Sequence, residues 1–228
     1  MQYNSKSLLD TMTIGRLQFE CENLCRWAYE NGGQMPEHML PVEQAVVKIG
    51  VSSCYGSAWR LKNFPGLVLK LCFRADDGYP AFIRKYAVNG KNAWAPRVFA
   101  HGGDECNGGF WCVLPEYECM DHAASYYNTR QYYKGTRHRA QAMAFLDTLD
   151  WVPNEYRGLY RLNSRNSTVV GQARKAIRAM IDAGAQSDMH SGNFMYDPTR
   201  RHMVVIDPVG GWQPEDKAEF EGGRSCVQ

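Results

Sequence analysis

Apolar residues along this chain keep two different periods, and the change of period divides it. Over 6–31, Leu17, Cys21, Leu24 and Ala28 recur at helical spacing, and the NGG at 31–33 supplies a stop. A second short helix is predicted around 42–47, after Pro41. The pattern then shortens. The runs VVKIGVSS (46–53), SAWRLKN (57–63) and LVLKLCF (67–73) favour strands and are separated by turn residues, which predicts a three-stranded meander. AFIRKYAV (81–88) reads as a short helix, and PRVFAHG (96–102) and GFWCVLPEYE (109–118) as two further strands. Beyond Glu118 strand character fades. Helices are predicted over 138–150 and over 167–184, the latter capped by Ser167 or Thr168, with Ala173, Ile177, Met180 and Ile181 on one face and Gly184 at its end. A last strand, MVVID, precedes a polar tail. The expected fold class is α+β: a helical extension (1–45), a lobe of antiparallel strands with one helix (46–118) and a compact, mainly helical lobe (119–228).

Composition narrows the function without choosing it. The 228 residues are 44% apolar, enough for a substantial core. Net charge is only +2, so no strong field argues for a nucleic acid or a membrane surface as partner. No apolar run approaches membrane-spanning length, and the first residues lack a signal-peptide pattern. The eight cysteines form no CxxC pair and no zinc spacing. Cys54, Cys72 and Cys112 lie in or beside apolar runs, where a free thiol packs as a small hydrophobe, so a reduced, cytosolic protein is expected, with a disulfide scaffold as the alternative.

The candidate chemistry is concentrated in SDMHSGNFMYD (187–197) and in MVVIDPVGG (203–211). Asp188 and Asn193 are five residues apart, and Ser191-Gly192 permits a turn that brings their side chains to one side. Asp207 ends an apolar strand and faces that loop if DPTR (197–200) makes a hairpin-like turn. A carboxylate with an amide oxygen is a hard ligand set that suits Mg²⁺, which takes one or two protein ligands and completes its shell with water and phosphate oxygens. The remaining carboxylate, Asp188, is then free to accept a hydroxyl proton, which is the division of labour phosphoryl transfer needs. Taken alone, an Asp and an Asn in a glycine-containing loop are as readily turn formers, and His190 alone is a packed or solvent-facing imidazole.

The motif D-x-H-x-G-N, followed by a strand-terminal I-D, resembles the catalytic and metal loops of the protein-kinase-like fold. Antibiotic phosphotransferases share this form of the loop. It is most similar to the small early serine/threonine protein kinases of short-tailed lytic bacteriophages, over roughly 46–120 and 170–210. That resemblance implies a two-lobed kinase-like fold and ATP with Mg²⁺. Asp188 would be the base, with Asn193 and Asp207 on the metal. Lys70, in LVLKLCF, would hold the nucleotide phosphates. His190 stands where serine/threonine kinases place a phosphate-contacting lysine. GVSSCYGSAW (50–59) resembles the glycine-rich hairpin over the phosphates, through Ser53, Tyr55, Gly56 and Ser57. VLPEYE (113–118) resembles the hinge, with backbone groups around Glu116 and Tyr117 facing adenine.

Departures from the pattern matter as much. AFIRKYAV contains no glutamate to pair with Lys70, and Asp76, Asp77 or a residue from elsewhere must substitute. Gln186-Ser187 replaces the His-Arg before the catalytic aspartate, which argues against activation through a phosphorylated loop. With Asp207 followed by Pro208-Val209, a mobile DFG switch is not expected. Little chain follows Asp207, so the second lobe is expected from 119–186. The leading function is a phage serine/threonine protein kinase acting on host proteins such as the transcription or translation machinery, in the host cytoplasm, with no membrane and no specific nucleic-acid partner. A small-molecule phosphotransferase of the antibiotic-kinase type is one alternative, against which Arg130, Lys134, Arg137, His138 and Arg139 would repel a cationic substrate. A catalytically weak kinase-like inhibitor that binds a host protein is another, and nucleotidyl transfer from ATP is a third.

Overall fold

The computed structural model describes residues 11–30, 45–49, 56–104, 109–119, 167–189, 193–197, 199–200 and 202–222. The first long helix, α1, runs over Thr11–Glu30. It is followed by strands β1 (Val46–Ile49), β2 (Gly56–Leu61) and β3 (Leu67–Cys72). Helix α2 (Tyr79–Phe82) continues without a break into a π-helical turn, Ile83–Ala87. Strands β4 (Ala100–Asp104) and β5 (Gly109–Pro115) complete a five-stranded antiparallel sheet in the order β1-β2-β3-β5-β4. The second half contributes β6 (Glu118–Cys119), helix α3 (Ser167–Asp182), the hairpin β7 (Phe194–Asp197) and β8 (His202–Val205), and helix α4 (Pro214–Phe220). Strands β6, β7 and β8 form a second small sheet, so the chain changes sheets at Glu116–Tyr117. The α+β, two-lobed arrangement read from the sequence is the one observed.

The period of two in β3 explains how the large sheet works. Leu67, Leu69 and Leu71 point to one face and meet Leu17, Cys21, Leu24, Cys25 and Ala28 of α1, with Trp59, Leu61, Trp111 and Val113 from neighbouring strands. Val68, Lys70 and Cys72 point to the other face. There Phe110, Cys112 and Leu114 of β5 pack with Tyr79, Phe82 and Ile83, and with Ala173, Ile177 and Met180 of α3 and Trp212. One core therefore backs the sheet and a second joins the two lobes. Leu69 is wholly buried at the centre of the first. Replacing it with alanine is expected to cost about 3 kcal/mol, read as a lower urea midpoint.

Several sequence expectations are shifted or corrected. The strand expected over 96–102 begins only at Ala100, because Pro96 has no N–H and the Arg97 N–H donates to the Tyr117 hydroxyl at 2.8 Å instead of to a ladder. The run expected over 109–118 breaks after Pro115: the Glu116 N–H donates to Gly66 O at 2.7 Å, and the next residues join the other sheet. Val46 and Val47 are not helical but pair with Leu61 and Arg60 in β1–β2. The helix expected from 81 starts two residues earlier, with Pro80 in its first turn, where the lost N–H costs nothing. A strand, β7, precedes the expected last one, and the polar tail contains α4, opened by Pro214 with Glu215 and Asp216 in its first turn. Helix α3 ends as expected, at Gly184 with φ +96°. Cys21, Cys25, Cys72 and Cys112 are free, buried thiols. Among the described residues no helix is long and apolar enough to cross a membrane. The helix expected over 138–150 lies outside them.

Candidate active site

The loop that carries Asp188 is held by the segment that carries Asp207. Gln186 N–H donates to Gly211 O at 2.7 Å, Gly210 N–H to Gln186 O at 2.9 Å and Asp188 N–H to Pro208 O at 3.1 Å, so 186–188 and 208–211 run as a short antiparallel ladder. Past the loop, Ile206 N–H donates to Asn193 O at 2.9 Å. Hairpin β7–β8, closed by the Asp197 carboxylate on the backbone N–H groups of Thr199 and Arg200, sets that register. Asp188, Asn193 and Asp207 are thus brought together by backbone bonds on both flanks. The Asn193 side chain, largely buried, donates to the Asp188 backbone carbonyl at 2.5 Å and to its carboxylate at 3.2 Å.

Lys70 arrives from the opposite side, out of β3. Register places it between Ala58 of β2 and Cys112 of β5, and its ammonium forms an ion pair with the Asp207 carboxylate. It also lies 3.6 Å from the centre of the Tyr79 ring, a cation–π contact that keeps it over the first turn of α2. Burial opposes the ammonium charge, but the Asp207 carboxylate beside it prevails, and the pKa is raised. The partner left open by the sequence is therefore Asp207 in this structure. Asp76 instead holds Arg74, at 2.6 and 2.8 Å.

Asp77 belongs to the same charge cluster and was not singled out over Asp76 by the sequence. It is buried immediately before α2, and Oδ1 accepts the Tyr79 N–H at 2.9 Å. The Asp-Gly-x-Pro order is the legible part, an acceptor placed ahead of a helix whose first turn has a proline. Burial, then the nearby Asp207 charge, push its carboxyl up to about 6 from 3.8. The folded state thus holds this proton more tightly than the unfolded chain does, so stability is lost as pH rises from about 4 to about 6. Asp77→Asn is expected to stabilise the fold at pH 7 by about 2 kcal/mol and to change it little at pH 4. Urea midpoints at the two pH values check this.

The remaining sequence candidates divide. Gly56 lies on the Lys70 face opposite Cys72, packed so closely on β3 that a Cβ would stand 2.2 Å from Leu71 O. Ser57 is turned to the α1 face, buried, and its hydroxyl accepts the Trp59 indole N–H at 2.7 Å, so its side chain is not in the Lys70 cluster. Glu116 and Tyr117 do form the connection between the sheets. Two arginines engage them: Arg60 forms an ion pair with the Glu116 carboxylate, and the Arg97 N–H occupies the Tyr117 hydroxyl. Ser53, Tyr55 and His190 lie outside the described residues.

The donor set fits a hard divalent cation. With its NH₂ group donating to Asp188, Asn193 has its amide oxygen left as the ligand atom, and the Asn193–Ile206 backbone bond keeps it next to the Asp207 carboxylate. Asp207 already faces a positive charge, that of Lys70. Among the described residues no three His, Cys, Asp or Glu side chains cluster as a metal site.

Solved structures resemble the chain only distantly. A double-mutant form of the Mycobacterium tuberculosis PknI kinase domain is 16% identical with a TM-score of 0.38, covering 72% of this chain and 58% of its own. The kinase PK-1 of Cydia pomonella granulovirus is 12% identical with a TM-score of 0.39, covering 72% of this chain and 54% of its own. The chain thus spans less than two thirds of the length of these kinases. No curated protein sequence matches it. The match that carries the argument is to the family described as Bacteriophage T7 protein kinase 0.7, over residues 51–221, which takes in β2, β3, the whole Asp188–Asp207 ladder and α4. With that span of its 228 residues matched, the chain belongs to the bacteriophage T7 protein kinase family and has its protein-kinase-like α+β fold.

Proposed function

We propose that this chain is an ATP- and Mg²⁺-dependent serine/threonine protein kinase that a phage directs at host proteins, acting in the host cytoplasm. The observation that carries the reading is the single cluster in which Lys70, from the large sheet, meets Asp207, while backbone bonds tie Asp207 to Asp188 and Asn193.

Each residue has a role in that chemistry. Lys70 neutralises charge on the nucleotide phosphates, and Tyr79 and Asp207 hold its ammonium ready. Asn193 and Asp207 are the residues that would hold Mg²⁺, which supplies charge neutralisation for the phosphate oxygens when bound. Asp188 accepts the proton of the substrate hydroxyl and orients its oxygen. That oxygen forms a bond to the γ-phosphorus, and the bond to the bridging oxygen breaks with its electron pair leaving on ADP. The Asn193 amide donates to the Asp188 carboxylate, which fixes the rotamer of the base. Transcription and translation proteins are the expected substrates.

Incubation of the wild type with γ-labelled ATP, Mg²⁺ and a bacterial lysate, followed by phosphoamino-acid analysis, tests the reading. Phosphoserine and phosphothreonine on lysate proteins are expected. Label found only on small molecules would overturn the protein-kinase assignment, and ATP binding without any transfer would favour a kinase-like binding protein.

A further inference from the structure

Helix α4 is short, yet it engages both ends of the helix that carries Tyr79. At the near end Lys217, itself buried, donates its ammonium protons to the carbonyls of Ala75 and Asp77, in the turn before α2. At the far end the Glu221 carboxylate, at the C-terminus of α4, accepts two N–H groups of Arg84, one on each oxygen and both at 2.8 Å. Lys85 donates to Phe220 O at 2.8 Å, with its ammonium 3.3 Å from the centre of the Phe220 ring. Lys217 and Glu221 are four residues apart, so they share one face of α4. We propose that Arg84 and Glu221 are positioning residues for nucleotide binding: their pair, with Lys217, clamps α2 and its π-helical extension where the Tyr79 ring lies under the Lys70 ammonium. This inference rests on the nucleotide-binding reading of Lys70 given above.

Three observations support it. The Arg84–Glu221 pair is bidentate and partly enclosed, with side chains 27% and 11% exposed, so it fixes geometry in a way that a solvated surface pair does not. The helix it grips is continuous: α2 runs straight into 83–87, so a displacement at Arg84 is carried to Tyr79, five residues earlier, whose ring centre lies 3.6 Å from the Lys70 ammonium.

The clamp is also anchored on the other lobe. The Trp212 indole N–H donates to Ala183 O at 2.9 Å, and its ring packs on Phe220 with 4.9 Å between centroids. Gly184 admits α4 only because it has no Cβ, which would stand 2.8 Å from Asp216 Oδ2. Ala183 and Gly184 belong to the turn that leads from α3 towards Asp188. Between the two anchors, Gly78 N–H donates to Gly210 O and Trp212 N–H to Asp76 O, both at 2.7 Å. The segment that leaves Asp207 thus passes along the turn before α2 and ends by gripping the last turn of the same helix. Strand β3 places the Lys70 backbone, and α4 places the ring on which its ammonium rests.

The test is a double-mutant cycle on Mg·ATP affinity, measured by calorimetry with the non-hydrolysable β,γ-imido analogue on the full chain. Glu221→Gln keeps the size of the side chain and removes its charge. It is expected to weaken binding roughly fivefold in the wild-type background and to have no further effect in the Tyr79→Leu background, where the ring is already gone. A purely structural role would give the same loss in both. Should Glu221→Gln fail to fold, Arg84→Gln breaks the same pair from the other side; should Tyr79→Leu fail to fold, Lys70→Met takes its place as background. Wild-type affinity in Glu221→Gln, or equal losses in the two backgrounds, would overturn the proposal while leaving the nucleotide site intact. Failure of the wild type to bind Mg·ATP would instead overturn the kinase reading, and this inference with it.

Discussion

Asp188→Asn is expected to lower kcat for phosphate transfer by about 10³-fold and to leave the melting temperature within a few degrees of wild type. The substitution is close to isosteric. It removes the only property the account asks of Asp188, a carboxylate able to take the hydroxyl proton, and a positioned general base contributes on the order of 10²–10⁴. The surrounding structure depends little on that charge: the Asp188 backbone is held through Pro208 O and its own carbonyl by the Asn193 amide, and neither bond is altered. The KM for ATP is expected to stay within about threefold, because Asp188 addresses the acceptor hydroxyl and Lys70 the nucleotide. Steady-state kinetics with both substrates varied, alongside a thermal melt, separates these outcomes. A large rise in the KM for ATP would relocate Asp188 from the base position to the metal.

Lys70→Met should behave differently on both measurements. The loss of the ammonium removes a phosphate ligand, so kcat/KM for ATP is expected to fall by roughly 10²–10³. The fold should also suffer. Asp207 would be left without its ammonium partner, and breaking a buried pair from one side is costly. Because the Lys70–Asp207 pair retains some solvent access, the expected cost is about 2 kcal/mol rather than the larger figures for fully buried pairs. Lys70→Arg is not expected to rescue activity, since the planar guanidinium does not fit the site a compact ammonium occupies over Tyr79. Activity in Lys70→Arg equal to wild type would show that only charge, and not position, is required.

The sequence revealed different parts of the molecule to different degrees, for physical reasons. The meander β1–β3 and helix α3 were legible because one face of each is buried, so period and burial coincide: Leu67, Leu69 and Leu71 against α1, Ala173, Ile177 and Met180 against the sheet. The Asp188–Asn193–Asp207 grouping was legible because short loops leave few ways to place nearby polar residues. Long-range partners were not. The ion pair of Lys70 with Asp207 spans 137 residues, and no local pattern records it. Lys217 was read as part of a polar tail because a buried lysine has the same letter as a solvated one; its place is set by the carbonyls of a turn 140 residues away. Ser57 was misjudged for a related reason. Its position near Gly56 suggested the phosphate side, but alternation turns it toward Trp59 and α1.

The central claim is transfer of the terminal phosphoryl group of ATP at the Lys70–Asp188–Asn193–Asp207 cluster. Parallel reactions with γ-labelled and α-labelled ATP, Mg²⁺ and a bacterial lysate, run with wild type and Asp188→Asn, test it most directly. The account predicts protein-bound label from the γ position alone, with wild type alone. Label arriving from the α position would mean nucleotidyl transfer by a reversed nucleotide, and γ-label undiminished in Asp188→Asn would place the chemistry elsewhere in the chain; either result contradicts the account.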